Sequence, residues 1–157
     1  MDDSHAAFRL ERGSTGFHYI GDAPTPEADP RSCRTAWYAA ARAAGGRVTD
    51  FTERRYPQNF HSATLTNRDG THVALFHAQS PLVAFVDDRR HYYTDEFRDA
   101  PAWAVSLNDF GFTVLSASLL RSPLREEDTA ALSTAELNQI KYWQPETIGA
   151  TLFNSWD

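Results

Sequence analysis

Residues 59–86 leave the chain little choice of secondary structure. Asn59 to Thr66 reads as a strand. Asn67-Arg68-Asp69-Gly70 follows, and Asp-Gly readily takes the positive φ of a tight hairpin turn. Thr71 to Ala78 is the return strand. Val73 and Leu75 point one way along it, and Ala74 and Phe76 the other, so it is expected to be buried on both faces. Pro81 to Val86 is a further apolar strand, favoured by its β-branched and aromatic residues. Asp87-Asp88-Arg89-Arg90 then reads as a charged hairpin tip and His91-Tyr92-Tyr93-Thr94 as its return. Upstream, Arg47 to Glu53 alternates around Val48 and Phe51 and adds another strand.

Helical signals flank this run. Arg34 to Ala44 is rich in Ala and ends at Gly45-Gly46; Trp37, Ala40, Ala41 and Ala44 share one face. Ser133-Thr134-Ala135-Glu136 is a capping box, with Leu132 and Leu137 at the staple positions. The helix it opens is expected to carry Leu137 and Ile140 inward and to end near Trp143. Pro145 is placed to open a last helix, with Ile148, Leu152, Phe153 and Trp156 on one face. Phe17-His18-Tyr19-Ile20 reads as a short strand, and Asp22 to Pro30 as a proline-bearing connector. Pro101 is expected to start a helical turn holding Trp103, and Phe110 to Leu120 to form the last strand. The fold class is α+β: an antiparallel sheet of about five or six strands, helices packed on one face and the C-terminal helix docked.

The chain has 157 residues, the size of one domain, expected over 1–157. Cys33 is the single cysteine, so no internal disulfide can form. The acidic, polar start and the lack of a long apolar run argue against a signal peptide or a membrane span and make the cytoplasm the expected location. The formal net charge is -6. Such a chain repels phosphate backbones and anionic lipid, so neither nucleic acid nor membrane is an expected partner.

Motifs for chemistry are sparse. Gly13 and Gly16 precede neither a Lys-Ser/Thr pair nor a clear helix, so neither nucleotide fingerprint is present. Cys33 stands among arginines, which could lower its pKa, but it reads as a bystander at a helix start. His61 and His77 flank the same hairpin. An even turn would put them on opposite faces; only an odd, bulged turn would join them for a metal. The carboxylate pairs Asp87-Asp88, Asp95-Glu96 and Glu126-Glu127 read as solvated turns. No metal, cofactor or catalytic residue is therefore expected.

A binding surface is better represented. The hairpin Asp87, Asp88, Arg89, Arg90, Tyr92, Tyr93 carries the residue types that anchor interfaces, and the loop Asn108, Asp109, Phe110, Gly111, Phe112 sets an acid and two aromatics around a Gly. One loop set presenting both segments would form a docking surface for a protein.

The C-terminus carries a resemblance. Tyr142-Trp143-Gln144-Pro145-Glu146-Thr147-Ile148-Gly149, ending in Leu152-Phe153-Asn154-Ser155-Trp156-Asp157, resembles the tail of bacterial immunity proteins that neutralise secreted polymorphic toxins. It is similar to the group containing the immunity factor of the tuberculosis-necrotizing-toxin type NAD glycohydrolase. Asp99 to Trp103 and Asp109-Phe110-Gly111 extend the likeness. Within the motif Trp143 and Trp156 are expected to be buried, clamping the last helix to the sheet, with Gly149 permitting close packing. The resemblance implies a cytoplasmic α+β antitoxin, not an enzyme, whose partner is a cognate toxin domain. It implies inhibition by a loop inserted into the toxin's active site. The alternatives are a small enzyme or ligand-binding domain with a cleft lined by Tyr92, His61 or His77, and a scaffold or secretion chaperone.

Overall fold

The computed structural model describes residues 8–19, 21–22, 27–87 and 97–156. Helix α1 spans Pro30–Ala43. Pro30, read as part of the connector, instead sits in the first turn, where a missing N–H costs nothing. Asp29 caps the turn, its carboxylate accepting the Arg31 N–H at 3.0 Å. Cys33, Ala36, Trp37, Ala40 and Ala41 form the buried face.

Strands β1 (Arg47–Thr52), β2 (Phe60–Asn67), β3 (Gly70–His77) and β4 (Leu82–Val86) pair antiparallel in sequence order. The β2–β3 turn is Arg68-Asp69, and the positive φ falls on Gly70 (122°), not on Asp69. Two short strands share the outer side of β4. β5 (Phe97–Arg98) pairs antiparallel with Phe85 and Val86; β6 (Thr113–Val114) pairs parallel with Leu82 and Val83. The return strand expected at His91–Thr94 lies outside the described residues. Phe17 to Tyr19 form no strand; Phe17 packs on Trp156 instead.

The α+β architecture is as the sequence implies, and helices cover both faces of the sheet rather than one. The two-sided apolar pattern of β3 requires this. Ala63, Leu65, Ala74, Phe76, Val83 and Phe85 meet α1 and a 3-10 helix, Ala102–Phe110. Phe60, Val73, Leu75, Ala84 and Val86 meet Leu120 of α2 (Ala117–Arg121), Leu132, and Ile148 and Leu152 of α4 (Ile148–Leu152).

The strand expected over Phe110–Leu120 is mostly absent. Gly111, at φ 86°, ends the 3-10 helix in a left-handed conformation that favours glycine. Only Thr113–Val114 pair. Ser116 then caps α2, accepting the Leu119 N–H at 3.1 Å, and the Asp99 carboxylate accepts the Ala117 N–H at 3.0 Å. These caps override the β-rich composition.

Helix α3 spans Thr134–Trp143 and opens with the full capping box. Its inward residues are Ala135 and Glu136; Leu137, about 100° further round the helix, is 41% exposed. Ile140 is partly buried against the second core. Pro145 does not open α4: Thr147 caps that helix, accepting the Ala150 N–H at 3.0 Å. Gly149 lies where a Cβ would fall 2.5 Å from Phe97 Cε2 and 2.8 Å from the Leu120 carbonyl, so any side chain here would force its neighbours to shift.

Trp156 is buried, but Trp143 is 39% exposed, which corrects the expectation that both rings are core. Trp143 ends α3 and stacks on the outside of Trp156, the planes 5° apart. Its Nε1–H donates to Gln139 Oε1 at 3.1 Å. Among the described residues no helix is long and apolar enough to cross a membrane.

Candidate functional site

The 3-10 helix delivers Asn108, Asp109, Phe110 and Gly111 to the surface, all exposed. Gly111 N–H donates to the Asn108 carbonyl at 3.1 Å and Phe112 N–H to Leu107 at 3.2 Å, which closes the turn. Phe112 is buried edge-on against Phe76 (5.3 Å), so the turn is anchored from below. Phe110 stays 45% exposed and shares a shallow groove with Arg31, Ser32 and Thr35 of α1.

Asp88, Arg89, Arg90, Tyr92 and Tyr93 lie outside the described residues. Asp87 is exposed and pairs with Arg98 at 3.5 Å. Both groups are about half exposed, so the pair contributes roughly 0–1 kcal/mol. The two expected binding segments do not start from one place. Gly111 precedes β6, which pairs with Leu82 at the start of β4, whereas Asp87 follows the end of β4. The separation along the strand is about 17 Å.

His61 pairs in register with Phe76, and His77 with Phe60. The two rings therefore point to opposite faces, as the even turn requires. His61 Nδ1 accepts the Arg54 N–H at 2.9 Å, and burial holds its pKa below the usual histidine value. Burial, then the Asp29 carboxylate, pushes the Cys33 thiol up to about 12, opposite to the effect its arginine neighbours suggest, so the thiol is protonated at neutral pH. Among the described residues no group of three or more His, Cys, Asp or Glu side chains is placed to hold a metal ion.

What sequence reasoning missed is a buried polar hub. The Glu136 carboxylate, fully buried, accepts the N–H groups of Gly13 and Thr15 at 3.0 Å each and the Thr15 hydroxyl at 2.8 Å. It also accepts the Ser133 N–H at 3.3 Å. Asn59 Nδ2 donates to the carbonyls of Ser14 (3.1 Å) and Leu152 (2.8 Å), while its Oδ1 accepts the Asn154 N–H at 2.9 Å. Asn154 Nδ2 donates to the carbonyls of Thr15 (3.2 Å) and Thr151 (2.9 Å). The hub ties the N-terminal segment and the C-terminal tail to the same end of β2 and β3. Its one sequence signal was the capping-box Glu136, which holds two segments rather than one.

The fold and this site thus define an α+β domain whose buried polar groups bind its own backbone. Comparison with protein-family models, with curated proteins and with solved structures finds no match to the chain.

Proposed function

We propose that this chain is an immunity protein that binds a cognate secreted toxin, a NAD glycohydrolase, and inhibits it by occluding its active site. The observation that carries the reading is Phe110, a large exposed aromatic on an anchored turn with Asn108 and Asp109 beside it. An aromatic held rigidly at a surface loses little entropy on docking and can fill a partner's pocket. The resemblance of the C-terminal tail supplies the family and the class of toxin. The acidic net charge of -6 favours rapid capture of a basic cleft. Protection requires a Kd on the order of nanomolar, about -12 kcal/mol.

The test is NAD hydrolysis by the candidate cognate toxin domain, sought in the neighbouring gene as the resemblance implies, titrated with the purified protein. Stoichiometric inhibition is expected. Phe110→Ala and Asp109→Ala should each weaken it about 10-fold or more. Separate changes at Arg89, Arg90 and Tyr93 report whether the segment beyond Asp87 also touches the toxin. Full toxin activity in the presence of excess wild-type protein would reject the proposal and turn attention to small-ligand binding.

A further inference from the structure

The strap formed by residues 11–16 is pinned by one titratable ring. His77 is wholly buried. Its Nδ1 accepts the N–H groups of Gln79 and Ser80, each at 3.1 Å. The proton of the neutral ring is therefore on Nε2, which donates to the Ser14 carbonyl at 2.7 Å. A second proton would go onto Nδ1, which already faces the N–H groups of Gln79 and Ser80. The ring could be hydrated only by moving out, and Ser14 of the strap and the Phe153 ring of the tail (5.7 Å) stand against it.

The charged and titratable groups facing this ring are Glu136 of α3, beyond the strap, and His61 of β2. Burial lowers the His77 pKa to about 4; it outweighs the Ser14 and Leu152 carbonyls and Glu136, which favour a proton on the ring, and His61 opposes the proton as well. Glu136 itself stays bonded to Gly13, Thr15 and Ser133, so it is not positioned to receive Nδ1–H.

We propose that His77 is an acid-sensitive pin: protonating its ring releases the 11–16 strap and the 153–156 tail in a local opening that leaves the sheet paired. The sign follows from linkage. An open state titrates near the ordinary histidine value of 6.5 and the closed state near 4. Closure is therefore at full strength above pH 6.5 and is lost as the pH falls toward 4. Between pH 7 and pH 5 the open-to-closed ratio should rise about 20-fold.

Hydrogen exchange on the full chain, followed by mass spectrometry and corrected for the intrinsic pH dependence, reads this directly. Peptides covering Gly13 to Gly16 and Asn154 to Trp156 should lose protection about 20-fold from pH 7 to pH 5, while β2–β3 peptides hold theirs. His77→Gln keeps a donor and an acceptor but cannot take a charge, so its strap should open equally at both pH values. Should that variant not fold, 15N NMR of the wild-type ring decides, because ring protonation must track strap opening. A ring that stays neutral while the strap opens overturns the proposal, as does a strap that loses protection only together with the sheet or not at all.

Discussion

The two faces of the sheet are held by different physics. On the α1 side Trp37 is the centre of an aromatic cluster, 5.9 Å from Phe76, 6.0 Å from Phe85 and 6.1 Å from Trp103. The Nε1–H groups of Trp37 and Trp103 are buried there without a hydrogen-bond partner. On the other face a core of Phe60, Leu75, Leu120 and Leu152 is rimmed by Asn59, His77, Glu136 and Asn154, bonded through backbone of distant segments. The first face is shaped by packing, which is non-directional and tolerates two unpaired indole N–H groups. The second uses directional bonds to decide where the 13–15 and 151–154 segments lie.

Trp37→Ala should show the largest effect, a loss of about 3–5 kcal/mol in urea unfolding. Trp37→Phe should cost far less, since the lost N–H has no partner; equal losses would mean the indole is polar-anchored after all. Glu136→Ala comes next, at about 3 kcal/mol, because it leaves buried N–H groups of Gly13, Thr15 and Ser133 without an acceptor. The comparison sharpens if Glu136→Ala frees the N-terminal segment to protease before the sheet melts. It breaks if the aromatic face opens first.

Gly149→Ala should cost about 1–3 kcal/mol, lowering Tm by several degrees, as the new methyl meets Phe97 and the Leu120 carbonyl. Trp143→Ala should cost only about 1 kcal/mol, well below Trp156→Ala, since it removes an outer stacking partner. Phe110→Ala should change Tm least, within about 0.5 kcal/mol, and weaken the proposed toxin inhibition most. A large stability loss there would assign Phe110 to the core and remove it from the interface.

Much of the fold was legible. The Asn67–Gly70 hairpin, the two-sided burial of β3, the stop of α1 and the Ser133–Glu136 capping box are local signals, and each stands in the structure. The failures share a cause. Phe110–Leu120 is β-rich, but Gly111 and the Ser116 cap decide its path. Trp143 looks like core by composition, yet the last turn of α3 sets it on the outside of Trp156. For the candidate site, Asn108 to Gly111 was legible as a polar-aromatic turn. Its distance from Asp87 was not, because that depends on which end of β4 each segment leaves.

The sequence by itself determined the α+β class, the central hairpin and where the 3-10 helix and α3 start, because period, turn chemistry and capping act over a few residues. Only the tertiary structure decided that helices cover both faces, that Gly111 and Asp87 stand by opposite ends of β4, and that Glu136, Asn59, Asn154 and His77 converge. Those residues are separated by up to 95 positions between Asn59 and Asn154, and no local pattern encodes a hydrogen bond to another segment's backbone.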